Sequence, residues 1–593
     1  MRAEGKQTSR RRFLKTMGTA VVTFPAVSAH AGMHHFAETS NTVYHDAVHP
    51  ANEPFGIGKG IFPGRVVWVH NPEATNENCV SNAFGHAWFA EENNNQNVID
   101  QMLSDALQNI SGQADDSSAW EAIFKYHNRA RGKGKVAYSS GEKIFIKINA
   151  TSSWSGNINP DDLSIVKNKW YGISETSPHL ILALLRQLVN VVGVAQQDIY
   201  IGDPIHHIYK HCYDLWHPEF PDIHYLDHNG WADREKVIPS ETAIVKYSDR
   251  GTVLREGTWS DATAGAPVTE DHLYTIFEEA EYLLNVPTLK AHKHAGITLF
   301  AKNHFGSQTR NDAKHLHNGL VAPEKDNPRR QGYGLYRVQV DLLGYGLLGG
   351  KTLIYLLDAL WTSDYEIKKP VKWMMEPFNN DWTSSLFVSF DPVAIESVAF
   401  DFLRSEFTVA RGLNTYPQME GVDDYLHQAA DSANWPQGIV YDPKDEGTPL
   451  ESLGAHEHWN NAVDKKYSRN LGTGEGIELL HVSQNTRVDE KESTPVNDFS
   501  LAQNYPNPFN ASTTIQYSLS ATSHIEISIF NVRGQKVKSL VDSEKSPGTF
   551  RAVWDGRLWN GVVAPSGVYI YKMTVTSPGG RTFQKVKEMI LMK

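Results

Sequence analysis

Cysteine is nearly absent from this chain of 593 residues, which contains only Cys79 and Cys212. Two thiols cannot supply the four ligands of an iron–sulfur cluster or of a four-thiolate zinc site. The sequence therefore argues against an iron–sulfur cofactor. It leaves open whether the two cysteines pair as a disulfide, because only their geometry decides that.

Several other signals are missing. The apolar run near the N-terminus is too short to span a bilayer, so no transmembrane segment is predicted. A net charge of −12 argues against nucleic acid as a partner. No G-x-S-x-G elbow, P-loop or G-x-G-x-x-G fingerprint occurs, which excludes the simplest hydrolase, nucleotide and dinucleotide sites. The chain is long enough to form two or more domains, and its 15 Trp, 24 Tyr and 24 Phe indicate a large core.

The N-terminus has the three parts of an export signal. Arg10, Arg11 and Arg12 form a cationic start, residues 20–27 are apolar, and Ala29-His30-Ala31 is a small-x-small cleavage site. This segment resembles twin-arginine signals, which implies a signal peptide at 1–31, an extension at 32–61 and the twin-arginine translocase as a partner. That route carries folded proteins and often cofactor-containing ones. The alternative is a disordered basic tail, which would need neither the apolar run nor the cleavage site.

The C-terminus alternates apolar and polar residues with period two, separated by turn clusters. This pattern predicts short strands with one buried face in an all-β, Ig-like sandwich at 499–593, after a polar linker at 481–498. The buried positions predicted in this way include Ile515, Tyr517, Leu519, Ile525, Ile527 and Ile529.

Three C-terminal stretches, LAQNYPNPFNASTTIQYSL, FNVRGQKVKSLV and WDGRLWNGVVAPSGVYIYKM, carry a more specific resemblance. They are similar to the type A C-terminal sorting domain of type IX secretion. The resemblance implies recognition by the outer-membrane secretion machinery and a final location outside the cell or anchored at its surface. An ordinary Ig-like adhesion module is the alternative.

Between these ends, residues 62–480 alternate apolar strands with amphipathic helices. The pattern predicts an α/β domain with an open, mostly parallel sheet covered by helices on both faces. Ser177 before Pro178 predicts a helix start, and residues 271–282 are predicted to form a helix. Ligands of open α/β sheets bind beyond the carboxyl ends of the strands, so polar residues at those ends are the candidates for a site.

Those strand ends are rich in cations and carboxylates. Lys290, His292 and His294 share one face if their segment is extended. The remaining strand-end candidates are Lys147, Asn149, Asp203, Lys302, Asn303, Asp358 and Asp391. His315 and His317 follow on a loop that either covers the pocket, together with Arg329 and Arg330, or is simply solvated.

Five separated motifs in this region resemble the domain-of-unknown-function family 362. They are VPTLKAHKHAGITLFAKNHFGS, IFIKIN, YIGDP, LLDAL and FDPVAIESVAFDFL. The resemblance spans about residues 143–404 and implies the fold of that family without implying a reaction. Many relatives carry cysteine-rich ferredoxin-like segments, which this chain lacks.

The candidates support two functional hypotheses. In the first, an exported enzyme acts on a small anionic ligand, with Lys290, His292 and His294 as catalytic residues. Its substrate-binding residues are Lys147, Asn149, Lys302 and Asn303. In the second, a surface binding protein holds an anion in the same cleft without turning it over. A solvated loop of charges would explain the lysines without any function.

A divalent metal is the possible cofactor, because Asp203, Asp358 and Asp391 offer the oxygen ligands of a hard cation. Two of these residues, Asp203 and Asp391, precede prolines, however, and N-capping is the favoured explanation for them. A histidine-rich stretch could instead hold a transition metal; its members are His206, His207, His211, His217, His224 and His228.

Overall fold

The computed structural model describes residues 50–257, 265–310, 313–321, 332–408 and 421–483 and, with short gaps, 499–592. These residues form two compact units, one within 50–483 and one within 499–592. The predicted signal at 1–31, the extension up to residue 49, Arg329, Arg330 and the predicted linker beyond residue 483 lie outside the described residues.

The helices described in the first unit are short, apart from three of about four turns. They are α1 (Gln96–Ser111), α2 (Asp116–Ala130), α3 (Pro178–Arg186), α4 (Lys210–Trp216), α5 (Ile276–Glu279), α6 (Phe300–Asn303), α7 (Val338–Gly344), α8 (Pro392–Glu406) and α9 (Asp424–Ala430). In the part of the chain that the structure describes, no helix is long and apolar enough to cross a membrane.

The strands of the first unit are β1 (Phe55–Gly56), β2 (Arg65–His70), β3 (Ile144–Ile148), β4 (Ile199–Gly202), β5 (His224–Asp227), β6 (Glu235–Lys236), β7 (Pro239–Lys246), β8 (Glu270–Tyr274), β9 (Tyr282–Val286), β10 (Thr288–His292), β11 (Gly296–Thr298), β12 (Tyr355–Ser363), β13 (Ser385–Ser389), β14 (Ala455–His456) and β15 (Glu478–Ser483). Five of them form a parallel sheet in the order β6-β5-β4-β3-β9.

Six others form a second, mixed sheet in the order β11-β10-β12-β13-β2-β15. The prediction of one open, mostly parallel sheet is therefore corrected: the first unit has two large sheets, of which only the five-stranded one is parallel throughout. It also has two separate antiparallel pairs, β1 with β14 and β7 with β8. For β10 and β11 the physical reason is connection length: three residues join these strands, and a parallel crossover needs a dozen or more. Pro287 alone separates β9 from β10, so the chain passes directly from one sheet into the other.

Helices cover both faces of the mixed sheet, as predicted. Along β2, Val66 and Trp68 enter a core shared with α7, α8 and α9, whereas Val67 and Val69 enter a core shared with α1, α2 and α3. This alternation follows from the two-residue period of a strand. Both cores are large, which agrees with the many aromatic side chains of the sequence.

Local signals at helix starts were partly confirmed. Pro178 opens α3, although the Ser177 side chain makes no capping bond. Asp391 caps α8 by accepting from the Ala394 N–H. The predicted helix at 271–282 is wrong, because this segment contains β8, the single turn α5 and the start of β9. Pairing of β8 with β7 supplies the backbone bonds that a helix would otherwise have made.

The second unit is all β. Its strands are β16 (Ser500–Leu501), β17 (Thr513–Leu519), β18 (Ser523–Asn531), β19 (Lys536–Lys545), β20 (Gly548–Trp554), β21 (Gly567–Thr576) and β22 (Thr582–Leu591). They form one sheet in the order β16-β17-β20 and another in the order β19-β18-β21-β22, with antiparallel pairing throughout. The predicted inward positions of β17 and β18 are buried in one core, which confirms the period-two pattern.

Candidate functional site

The site is built where β3, β4 and β9 bring their carboxyl ends to one edge of the parallel sheet. Lys147 lies on β3 beside Gly202 of β4 and Asn285 of β9, and Asp203 follows β4 directly. Because the strands are parallel, side chains distant along the sequence meet here. The strand-end prediction thus placed these residues together.

Lys147 and Asp203 form a fully buried ion pair. The Lys147 Nζ donates to Asp203 Oδ1 at 2.9 Å, to the Ile148 carbonyl at 3.0 Å and to Asn303 Oδ1 at 3.4 Å. Asp203 also contacts His206 Nδ1 and accepts from the Ala150 N–H. Burial alone would raise the pKa of Asp203, but the charges of Lys147 and His206 outweigh it and hold the pKa below its usual range.

An amide network extends from this pair. Asn303, on α6, accepts from the Asn149 amide at 3.1 Å and donates to Asn285 Oδ1 at 2.7 Å. The three protons of Lys147 are directed at protein oxygens, so Lys147 orders its neighbours instead of presenting a free ammonium group. Lys147, Asn149 and Asn303, which the sequence suggested as ligand contacts, therefore form the support of the site.

Gly306 makes this arrangement possible. A Cβ atom at residue 306 would lie 2.3 Å from Asp203 Oδ1 and 3.0 Å from Lys147 Nζ, so no larger residue fits against the ion pair. The segment that begins at Lys302 can press its backbone onto the pair only with glycine here.

Lys290, on β10, is the second buried lysine. Its Nζ donates to the Ser174 carbonyl at 2.7 Å and to Thr151 Oγ1 at 3.3 Å. Burial lowers the pKa of Lys290 to about 8, opposed by the charges of Glu175 and Glu366. Burial likewise raises the pKa of Glu175 to about 7. The sequence patterns selected neither glutamate: Glu175 lies on the loop before α3, and Glu366 lies three residues beyond the end of β12.

Of the three lysines Lys147, Lys290 and Lys302, only Lys302 is partly exposed to solvent. Its Nζ lies 4.0 Å from the centre of the Phe305 ring. Burial by surrounding protein atoms, together with the charges of Lys290 and Lys147, lowers the pKa of Lys302 to about 7, against the opposing effect of Glu366. At neutral pH this amine is therefore divided between its charged and neutral forms.

Three histidines gather beside Lys302. The ring centroids of His292, His294 and His317 lie 5.9 Å apart in each pair. His292 Nδ1 accepts from the backbone N–H groups of His294 and Ala295, which leaves its proton on Nε2. Burial and the charge of Lys302 hold the pKa of His292 well below its usual value, so the ring is neutral.

The predicted metal trio does not come together. Within the described residues, no metal-ligand group contains Asp203, Asp358 or Asp391. Asp358 accepts from the N–H groups of Ser177 and Leu360. Asp391 lies at the opposite end of the mixed sheet from Lys290, because β13 runs antiparallel to β12, and its oxygens bind backbone N–H groups, including that of Ala394.

The histidine-rich stretch has other partners as well. His207 Nδ1 contacts Asp227 Oδ2 at 2.8 Å, and its ring stacks on Trp231. Cys212 is buried on α4 and Cys79 is partly exposed, and the two remain separate thiols. The candidate site at the edge of the parallel sheet consists of lysine, histidine, carboxylate and amide side chains.

Two family descriptions match parts of the chain. Residues 183–401 match the domain of unknown function DUF362, and residues 508–579 match the FlgD Ig-like domain. The first match supports the resemblance predicted for the central region, and it contains Asp203, Lys290 and Lys302. The second agrees with the all-β unit. No curated protein matches the chain.

Three solved structures are each similar to a small part of the chain. Dimeric latent PorU from Porphyromonas gingivalis is 20% identical over 20% of this chain and 10% of its own, with a TM-score of 0.15. FlgD from P. aeruginosa is 15% identical over 17% of this chain and 76% of its own, with a TM-score of 0.13. PorZ, a surface component of the type IX secretion system of Porphyromonas gingivalis, is 18% identical over 18% of this chain and 13% of its own, with a TM-score of 0.12. The chain thus spans about a tenth of the PorU chain, and scores this low carry no argument.

Proposed function

We propose that the first unit, residues 50–483, called the central unit below, is an enzyme. It binds a small carboxylate- or phosphate-bearing anion and catalyses a reaction of that anion by proton transfer. The observation that carries the proposal is a chain of hydrogen bonds that joins three lysines from separate chain segments. Lys290 donates to Thr151, Thr151 donates to Asn149, and the Asn149 amide donates to Asn303 Oδ1. Lys147 also donates to Asn303, the residue that follows Lys302. Burial lowers the pKa values of Lys290 and Lys302 despite the carboxylates nearby. The negative charge of a bound anion would raise these pKa values again, so both lysines would be protonated and would attract the anion.

The geometry suggests a division of roles. Lys302 is the partly exposed cation that a ligand reaches first, and Lys290 lies deeper on β10. The neutral His292 ring presents an Nε2–H group that can donate to an oxygen on which negative charge develops. Lys302 in its neutral form can accept a proton at physiological pH. Asp203, Asp358 and Asp391 have no metal-binding role in this proposal, because their carboxylates already bind protein groups.

Replacing His292 by Ala tests the catalytic role. Turnover is expected to fall about 10²- to 10³-fold, the usual loss when a hydrogen-bond donor to developing negative charge is removed. Sulfate affinity is expected to change little, because the lysines remain. Turnover is measured by mass spectrometry on a panel of small phosphate monoesters and hydroxy acids, and sulfate affinity by calorimetry.

The matched control is His224→Ala, which removes a partly exposed histidine paired with Glu235 on β5 and β6. This variant should keep full turnover. A wild-type protein that binds sulfate but turns over no member of the panel would support the surface binding protein instead. Unchanged turnover in His292→Ala would remove His292 from the chemistry.

Anion affinity should depend on pH. Lys302 with a pKa of about 7 and Lys290 with a pKa of about 8 lose their protons as the pH rises from 6 to 9, so sulfate should bind more weakly at higher pH. One proton can account for a fall of about tenfold per pH unit. Calorimetric titrations across this range check the slope, since sulfate keeps its charge throughout. Lys302→Met should flatten the profile near pH 7, and an identical profile would contradict the assignment.

The proposal also includes the route out of the cell. The arginine pair, apolar run and small-x-small site of residues 1–31 support export by the twin-arginine translocase. The sorting-domain motifs between residues 501 and 573 support passage through the type IX secretion machinery to the medium or the cell surface.

Replacing Arg10 and Arg11 together by Lys is expected to leave the full-length precursor in the cytoplasm, because the translocase recognises the arginine pair. Immunoblots of cell fractions measure the distribution. Changing Lys15 to Arg, which keeps the charge of the region, is the control and should not alter export. Normal export of the double variant would refute the twin-arginine route.

A further inference from the structure

The site formed by Lys147, Lys290, Lys302 and His292 is called the lysine site below. A second cluster, of histidine and carboxylate side chains, lies in the same unit and shares no residue with it. Asp423 immediately precedes α9, and His427 follows one helical turn later, so the two side chains lie on the same helix face. His456 comes from β14, the short strand that pairs with β1. All three side chains are buried.

Their spacing matches a metal-ligand set. One ligand atom from each of Asp423, His427 and His456 can be chosen so that all three lie within 4.8 Å of one another. Asp423 Oδ2 and His427 Nε2 are 3.6 Å apart. Ligand atoms around a tetrahedral zinc ion, at metal distances of 2.0–2.1 Å, are roughly 3.4 Å apart, so only small movements would close the set.

Hydrogen bonding fixes which nitrogen of His456 carries the lone pair. The Ser397 hydroxyl donates to the Val393 carbonyl at 2.7 Å, which uses its single proton. With the hydroxyl proton on that carbonyl, the contact of 2.7 Å between Ser397 Oγ and His456 Nδ1 is a donation from Nδ1–H. In that tautomer the lone pair of His456 is on Nε2, the nitrogen that would bind a metal.

Asp423 is also oriented as a metal ligand would be. Its Oδ1 accepts from the Tyr333 hydroxyl, and its Oδ2 contacts His458 Nε2 at 3.0 Å. The other nitrogen of His458 contacts Asp401 Oδ1 at 2.9 Å, so this ring is held between two carboxylates. Metal-binding carboxylates and imidazoles are commonly fixed by outer hydrogen bonds of this kind.

We propose that Asp423, His427 and His456 bind one divalent transition-metal ion, with Zn²⁺ as the ion that fits best. Two imidazoles and one carboxylate are a usual protein ligand set for zinc, whereas Mg²⁺ and Ca²⁺ prefer oxygen ligands throughout. Three protein ligands leave a further coordination position for water or another donor. The ion ties α9 to β14, two elements separated in sequence.

Metal titration of the full-length chain tests the site. After dialysis against a chelator, the protein should bind one Zn²⁺ per chain in competition with a chromophoric chelator, with the content confirmed by elemental analysis. Ser397→Ala removes only a hydroxyl group and should weaken zinc binding about 10- to 100-fold. His456→Ala should weaken it further. Co²⁺ bound in place of Zn²⁺ should show the absorption of a four- or five-coordinate ion.

One control variant and one alternative measurement make the result decisive. His292→Ala, in the lysine site, should bind zinc as the wild type does, which separates this inference from the proposed enzyme. If His456→Ala folds poorly, the zinc-dependent rise in unfolding temperature of Ser397→Ala against wild type gives the same comparison. The site is refuted if wild-type protein binds no stoichiometric zinc, or if bound zinc is unaffected by both His427→Ala and His456→Ala.

Discussion

Asp203→Asn is expected to lower the free energy of unfolding of the central unit by about 3–5 kcal/mol, the usual cost of removing one partner of a buried ion pair. The variant leaves the Lys147 ammonium in a site with no exposed surface and with no opposite charge in contact. Chemical denaturation followed by tryptophan fluorescence measures the loss.

Charge, and not side-chain shape, is the reason for this expectation, because Asn has nearly the same size as Asp. Removing both charges in the double variant Lys147→Met/Asp203→Asn should therefore cost less than the sum of the single changes. Asp161→Asn, at an exposed position, is the control and should stay within about 0.5 kcal/mol of wild type. Additive single and double effects would show that the pair is not coupled.

Asp203 also makes the free energy of unfolding depend on pH in the acidic range. The folded-state pKa of Asp203 lies below its unfolded value of about 3.9, so its contribution is complete above that pH and is lost as the pH falls toward the folded pKa. The stability difference between wild type and Asp203→Asn should accordingly begin to narrow below about pH 4.

Gly306→Ala is the second large effect we expect. The new Cβ would lie 2.3 Å from Asp203 Oδ1, so the ion pair or the backbone after Lys302 must move. Overpacking of this kind costs about 1–3 kcal/mol. The movement should also displace Lys302, so sulfate affinity should fall together with the unfolding temperature.

Gly156→Ala is a suitable control for this change, because a Cβ there would meet only the flexible end of Lys167 at 3.6 Å. That variant should match wild type in both unfolding temperature and sulfate affinity. If Gly306→Ala lowered stability but left sulfate affinity unchanged, the glycine would support only the fold, and Lys302 would not depend on it.

The sequence predicted the positions of site residues correctly where a β-α-β pattern determines the direction of the strands. The β-α-β pattern through β3, α3 and β4 fixes parallel strands, and this was enough to bring Lys147 and Asp203 to one edge. The motif from Lys302 to Gly306 also marked the segment that closes over them. Period two in the C-terminal strands identified the buried face of that unit.

The rest depended on information that a linear pattern does not carry. Asp391 follows a strand just as Asp203 does, but its strand is antiparallel to β12, so it ends far from the lysines. Glu175 comes from a loop whose path is set by tertiary packing. The same packing decides for His317 between the two alternatives that the sequence left open, a loop over the pocket or a solvated one. Asp423 and His456 are more than 30 residues apart, and neither spacing nor strand order predicts that they meet.

The single residue between β9 and β10 has a mechanical consequence. Lys147 belongs to the parallel sheet and Lys290 to the mixed sheet, and Pro287 is the junction through which the chain crosses between them. An anion bound at the lysine site would connect residues of the two sheets on either side of that junction. Its occupancy should therefore slow amide exchange in both sheets at once, by an amount set by its own binding energy.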